Sequence, residues 1–116
     1  MFHEWKKMVE SHMKRGDEFA ELTPATRAGY RQLQGASAET GQLGPKMHEL
    51  IALAVAVTTR SEGCIGNHTR KAIEHGATRQ EIAEALGIAV AMNAGAALAY
   101  SQRALDAHAE FSGDAT

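Results

Sequence analysis

Residues 45–75 read PKMHELIALAVAVTTRSEGCIGNHTRKAIEH, and this stretch decides the fold class. Pro45 can occupy the first position of a helix, and the apolar run after it predicts a buried helix to about Thr59. A short polar link then leads to a second helix that begins at Cys64. Gly76 can end that helix in the left-handed conformation. The two segments predict a helical hairpin.

Helical periodicity also marks the segments before this hairpin. Residues 2–14 carry apolar side chains at helical spacing, and Gly16 is expected to end that first helix. Thr23 and Pro24 then predict the start of a second helix, because threonine caps a helix and proline fits its first position. This second helix is expected to run to about Gln34.

The segments after the hairpin are helical by the same criteria. Thr78 and Glu81 form a capping-box pattern that predicts the start of a fifth helix. A break is expected at residues 93–95, Asn-Ala-Gly, with a sixth helix over residues 96–110. No segment predicts a strand. The expected fold is therefore all-α with about six helices.

Alanine dominates the composition. Of 116 residues (12.4 kDa), 22 are alanine and only six are aromatic. Alanine favours helices in any setting, but flat alanine faces also let helices of separate subunits approach closely. We expect a single structural domain in which residues 1–40 form N-terminal helices for packing or oligomerisation. Residues 41–116 are expected to form the core.

Charge and cysteine content limit the partners. Twelve Lys and Arg against 14 Asp and Glu give a net charge of −2, and no basic stripe suggests nucleic acid or an anionic membrane as a partner. The longest apolar run, residues 50–57, is too short to span a bilayer. No secretory signal opens the sequence, and a lone thiol, Cys64, can form no intrachain disulfide. These features predict a cytoplasmic protein.

Three residues able to move protons cluster at the hairpin. Cys64 and His68 are four apart on one helix face, and the first turn of a helix favours a thiolate. Folding the hairpin places Glu49 about one turn from His68. Glu49 could then orient His68, and His68 could take the thiol proton of Cys64. If Ser61 caps the helix, its hydroxyl is expected to accept the backbone N–H of Cys64.

Other interpretations of these residues exist. A lone cysteine is often an inert small hydrophobe. A metal site could draw on Glu49, Cys64 and His68 with His48 or His75, but no compact cluster completes it, so we predict neither a metal nor a cofactor. The remaining histidines lie among polar neighbours and are assigned no role: His3, His12 and His108.

Three stretches resemble the carboxymuconolactone decarboxylase family, and in particular its alkylhydroperoxidase AhpD-like branch: residues 48–57, 64–69 and 76–86. That branch is marked by Glu, eleven residues, Cys-x-x-Cys, three residues and His. Here Glu49, Ser61-x-x-Cys64 and His68 match the spacing at every position. The resemblance covers about residues 44–108.

The resemblance implies an all-α fold that assembles as trimers or hexamers. In redox members of this branch a CxxC pair reduces peroxides or a peroxiredoxin partner, and a lipoyl-bearing protein supplies the electrons. By position, Cys64 is similar to the attacking cysteine, His68 to the histidine and Glu49 to the glutamate of the proton relay. The expected partners are further copies of the chain and a thiol or lipoyl-type reductant.

Ser61 departs from the pattern, because it stands where the branch has its resolving cysteine. A serine cannot form a disulfide, so the leading hypothesis is a one-cysteine peroxidase or thiol-dependent reductase in which an outside thiol reduces Cys64. The alternatives are a cofactor-free decarboxylase or isomerase of a lactone or small carboxylate that relies on His68, and a catalytically idle oligomeric binding protein.

Overall fold

A computed structural model describes residues 4–113, and every regular element in that range is helical. The elements are α1 (Trp5–Leu22), α2 (Pro24–Ala36), a 3-10 turn (Ser37–Glu39), α3 (Gly44–Thr58), α4 (Glu62–Glu74) and α5 (Arg79–Ser112). The all-α prediction is confirmed for these residues. The start of the predicted first helix and the end of the predicted core, residues 1–3 and 114–116, lie outside the described range.

The turn between α3 and α4 is fixed by backbone hydrogen bonds. Arg60 takes the left-handed conformation (φ 57°) that glycine usually supplies at the end of a helix. The N–H of Arg60 donates to the carbonyl of Val57 (3.2 Å), and that of Ser61 donates to the carbonyl of Ala56 (2.9 Å). This bonding satisfies carbonyls that the end of α3 would leave unpaired. It therefore sets the direction in which α4 leaves α3.

The junction between α4 and α5 follows the sequence prediction. Gly76 is left-handed (φ 86°), and the N–H of Ala77 donates to the carbonyl of Ala72 (2.9 Å). Thr78 and Glu81 form the predicted capping box, each side chain accepting the backbone N–H of the other. The end of α4 and the start of α5 are thus both specified by residues only a few positions away.

The hydrophobic core lies where α3, α4 and α5 meet. Leu50, Ala72 and Ala77 are buried together, and Ile82 and Ala85 of α5 pack against them. Most buried apolar side chains of the described residues are small, and Leu53 is the one large side chain that is fully buried: Val9, Ala20, Leu50, Leu53, Ala56, Ala72, Ala77 and Ala89. A core of this size buries little apolar area.

Three sequence predictions about the helices are wrong. Gly16 does not end α1, and residues 93–95 do not break α5, which runs without interruption and so replaces the predicted fifth and sixth helices. A glycine inside a helix costs only about 1 kcal/mol relative to alanine, which good helix formers on either side can offset. The Asn93 amide donates to the carbonyl of Ala89 (2.8 Å) and to the hydroxyl of Thr58 (3.0 Å).

The third wrong prediction concerns α3, which was expected to be buried all round. Leu50, Leu53 and Ala56 are buried, but Ile51 and Val55 on the same helix are 46% and 57% exposed. Within the chain α3 packs on α4 and α5 and leaves its remaining surface uncovered. The apolar pattern therefore marks more contact surface than the described residues themselves cover.

An ion pair ties the start of α3 to the start of α5. Lys46 Nζ lies 2.7 Å from Glu81 Oε2, with both side chains partly exposed. The hydrogen bonds that Glu81 accepts from Lys46 and from the Thr78 N–H hold the pKa of its carboxyl below the ordinary value. The ionised form of Glu81 therefore stabilises the folded chain.

We expect this contribution to depend on pH. Glu81→Gln keeps an oxygen that can accept the Thr78 N–H but removes the charge facing Lys46. Because the folded-state pKa is lowered, the contribution is complete above the ordinary value of 4.5 and is lost as the pH falls through the lowered value. The wild type should have the higher Tm at about pH 7, and the two Tm values should converge at about pH 2. A constant difference would contradict this.

Candidate active site

The side chains of Glu49 and His68 meet across the α3–α4 hairpin. The distance from His68 Nδ1 to Glu49 Oε2 is 2.6 Å, and the two side chains are 21% and 14% exposed. An ionised carboxylate can only accept, so Nδ1 carries the hydrogen that it donates to Glu49. This bond fixes the orientation of the imidazole and leaves Nε2 as its proton acceptor.

Cys64 lies at the beginning of α4, one turn before His68. It is a free, half-buried thiol at the third position of the helix, where unpaired N–H groups favour a negative charge. Ser61 is the N-cap residue, but its side chain makes no capping hydrogen bond. The expected bond from the Cys64 N–H to the Ser61 hydroxyl is therefore wrong. The backbone at Ser61 is set instead by the turn, through its bond to Ala56.

A cavity of about 410 Å³ lies between α4 and the N-terminal helices, beside the place where α1 contacts α4. Cys64, Asn67 and His68 line it on the α4 side, and α1 and α2 form the facing wall. That wall is mostly apolar or uncharged, with an Asp17–Arg27 ion pair (2.9 Å) and Arg31 among its members. The thiol and the oriented imidazole thus open onto a space large enough for a small organic molecule.

Helix α1 can lie close to α4 beside the cavity because α4 has glycines on the face that contacts α1. A methyl group on Gly66 would lie 2.5 Å from Val9 Cγ2 and 3.3 Å from the Trp5 ring, and one on Gly63 would overlap the His12 ring. An added methyl group would therefore displace Val9 at one position and the His12 ring at the other, and glycine leaves room for both side chains. Gly63 and Gly66 place α1 beside Cys64.

A second cavity of about 590 Å³ lies on the other side of Glu49. The loop before α3 and the first turns of α3 line it, including His48 and Glu49. Glu49 therefore faces one cavity while its partner His68 faces the other. Within the described residues, no three His, Cys, Asp or Glu side chains are grouped so that they could hold a metal ion.

Sequence reasoning missed the facing wall of the first cavity. His12 had been assigned no role, yet it lines the cavity together with Cys64 and His68. The arginines of α2, Arg27 and Arg31, were also missed. The available signal was the four-residue spacing of Arg27 and Arg31 and the spacing of Trp5, Val9 and His12, which share one face of α1.

The family follows from comparison with known proteins. A model of the carboxymuconolactone decarboxylase family matches residues 24–107, which include α2 through most of α5 and all three residues of the predicted relay. The chain belongs to this family. The match begins about 20 residues before the resemblance noted in the sequence.

One solved structure agrees with the assignment to the carboxymuconolactone decarboxylase family, and two uncharacterized proteins are similar in sequence. The crystal structure of a family protein from Legionella pneumophila, in its apo form, has a TM-score of 0.71 and 36% identity, covering 93% of this chain and 96% of that one. An uncharacterized protein of Haemophilus influenzae is 47% identical over 109 residues, covering 93% of this chain and 96% of its own. An uncharacterized protein of Cupriavidus necator is 35% identical over 82 residues, 71% and 73% of the two chains.

The close approach of α1 can be tested with two glycine substitutions. Gly66→Ala should lower the free energy of unfolding by about 1–3 kcal/mol, because the added methyl group overlaps Val9. Gly29→Ala, in α2 with nothing within 4 Å of the added carbon, should raise it by about 0.5–1 kcal/mol. Denaturant unfolding at one protein concentration measures both. Stabilisation by both substitutions would show that α1 does not pack on α4.

Proposed function

We propose that this member of the carboxymuconolactone decarboxylase family is a one-cysteine thiol peroxidase. Cys64 is the nucleophile, His68 is the general base, and Glu49 orients His68. The observation that carries the proposal is the 2.6 Å hydrogen bond between His68 and Glu49 beside a cavity that also contains the Cys64 thiol. A nucleophile, a base and a group that orients the base are the parts that cysteine chemistry requires.

The proposed reaction begins with proton transfer from the Cys64 thiol to Nε2 of His68. The thiolate then attacks the terminal oxygen of a hydroperoxide, ROOH. A sulfur–oxygen bond forms, the oxygen–oxygen bond breaks, and the alkoxide leaves and takes up a proton to give ROH. The sulfur is oxidised to a sulfenic acid and the peroxide is reduced.

Ser61 determines how the cycle closes. Because a serine stands at the position of the resolving cysteine, the sulfenic acid cannot form a disulfide within this motif. An external thiol would displace water from the sulfenic sulfur to form a mixed disulfide. A second thiol of the same reductant would then release Cys64 as a thiol. A dithiol such as a lipoyl group fits this requirement.

The proposal predicts covalent modification of Cys64. Stoichiometric hydrogen peroxide followed by dimedone should label Cys64 in the wild type, and prior addition of dihydrolipoamide should abolish the label. Mass spectrometry of the peptide measures both results. His68→Gln should slow labelling by about 10²-fold, the typical contribution of a general base, and Glu49→Gln should slow it less.

His75→Gln is the matched control, since His75 is an exposed histidine at the end of α4. It should label at the wild-type rate. An unmodified Cys64 in the wild type, without peroxide turnover in the presence of dihydrolipoamide, would refute the peroxidase. Equal labelling rates in the wild type and in His68→Gln would show that Cys64 reacts as an exposed thiol without a proton relay.

A second candidate function is a cofactor-free decarboxylase or isomerase of a small carboxylate. The observation in its favour is Arg31, which lies one turn from Arg27 on α2 and lines the cavity, whereas the Arg27 guanidinium is already paired with Asp17. Guanidinium groups bind carboxylates well. In that reaction His68 would move the proton and Cys64 would only form part of the wall. Full activity in Cys64→Ser with loss in His68→Gln would select this function.

We also infer that the working form is a homo-oligomer. The chain has a solvent-accessible surface of 9430 Å², against about 6,100 Å² expected for a compact monomer of 12.4 kDa. Its radius of gyration is 19.2 Å, against about 13 Å for a compact domain of this length. One standard interface buries about 800 Å² per partner, so the excess is enough for several interfaces.

The second half of α5 carries much of this uncovered surface. Leu98, Tyr100 and Leu105 are each more than two-thirds exposed. By length and composition α5 could also cross a membrane, with a window of mean hydropathy 1.6. Small and polar residues interrupt the apolar residues of this helix, and the longest uninterrupted apolar run of the chain lies elsewhere, at residues 50–57. The first half of α5 packs on the core, and leaving that packing would expose the core, so we assign the surface to further copies of the chain.

Light scattering after gel filtration tests this assignment. The wild type, without detergent, should have three or six times the mass of 12.4 kDa. Leu98→Glu with Leu105→Glu should reduce the mass, because a charge is costly to bury at an apolar interface. Leu22→Glu, at an equally exposed leucine outside α5, should keep the wild-type mass. A wild type that is monomeric or soluble only in detergent would refute the assignment.

A further inference from the structure

His12 is a titratable group beside Cys64 that the proposed relay does not use. Its imidazole lies over Gly63, the residue before Cys64, so closely that a methyl group on Gly63 would overlap the ring. It lines the same cavity as Cys64 and His68. It belongs to α1, on the wall that faces α4. No ion pair or hydrogen bond with another described residue occupies its ring nitrogens.

The proposed reaction needs a second proton-transfer group. A thiolate displaces the leaving oxygen along the line of the oxygen–oxygen bond, so that oxygen departs on the side away from the sulfur. His68 lies on the same helix as the sulfur, one turn away, and Glu49 holds it in that position. A group on the facing wall is better placed to protonate the departing oxygen.

Among the groups on the facing wall, His12 has the most suitable chemistry. Asp17 and Arg27 are paired with each other, and an arginine such as Arg31 does not release its proton. A phenol such as Tyr30 is a weaker acid than an imidazolium, and a general acid works best when it exchanges its proton near the working pH. Histidine meets this condition.

We propose that His12 is a catalytic residue that donates a proton to the leaving oxygen of the peroxide. This inference rests on the peroxidase function proposed above. His68 takes the proton of the thiol, the oxygen–oxygen bond breaks toward α1, and the alkoxide takes the proton of the His12 imidazolium to leave as ROH. Solvent then moves the proton of His68 to His12, which restores both residues.

Peroxides with different leaving groups separate this role from a structural one. With tert-butyl hydroperoxide the leaving group is an alkoxide, which needs a proton, whereas peracetic acid releases acetate, which does not. His12→Gln should slow sulfenic acid formation at Cys64 by about 10²-fold with tert-butyl hydroperoxide. With peracetic acid the rate should stay close to that of the wild type.

Gly63→Ala gives an independent test, because it keeps the histidine but forces its ring away from its present position. It should show the same selective loss with tert-butyl hydroperoxide. His108→Gln, at an exposed histidine of α5, should leave both rates unchanged. Circular dichroism of each variant should match the wild type.

The outcomes distinguish the inference from the function on which it rests. Equal slowing with both peroxides in His12→Gln would assign His12 a structural role and overturn the inference, while the peroxidase would stand. Unchanged rates with both peroxides would also overturn it. If the wild type forms no sulfenic acid with either peroxide, the proposed function fails and the role of His12 fails with it.

Discussion

The hydrogen bond between His68 and Glu49 is the interaction on which the site depends. It joins the two helices of the hairpin at a point where both side chains are largely withdrawn from water. A carboxyl group in that position needs a hydrogen-bond partner, and the imidazole supplies one. The same bond sets the tautomer of His68. This one contact thus joins α3 to α4 and also leaves Nε2 as the nitrogen of His68 that can accept a proton.

The sequence was informative where local rules determine the structure. The start of α5 follows from Thr78 and Glu81, and the end of α4 from Gly76, because capping and left-handed turns involve residues only a few positions apart. The meeting of Glu49 and His68 could be derived as well, since a hairpin of known turn position fixes which residues face each other. Fold class and relay geometry are both consequences of this short-range information.

The sequence was uninformative where the structure depends on contacts between segments that are far apart in the chain. The wall formed by α1 depends on Gly63 and Gly66, which leave room for α1 because they have no side chains. A missing side chain contributes nothing to a hydrophobic pattern, so the sequence does not reveal this contact. Helix ends were also misjudged at Gly16 and Asn93, because single-residue signals are weaker than the preference of the surrounding segment. The predicted hydrogen bond from the Cys64 N–H to the Ser61 hydroxyl does not form for a related reason. Backbone hydrogen bonds of the turn already hold Ser61 in place.

The two sides of the cavity are lined by different segments of the chain, and this bears on which substitutions can alter the cavity. Glu49, Cys64 and His68 all lie within the region that the family model matches, whereas α1 precedes it. The three residues of the proposed relay and the α1 part of the facing wall therefore belong to separate parts of the chain, whereas α2, the other part of that wall, lies within the matched region. A substitution on the α1 part of this wall would alter the shape of the cavity and leave the residues of the hairpin itself unchanged. The glycine contacts limit such changes, because a methyl group on Gly66 would overlap Val9 and one on Gly63 would overlap the His12 ring.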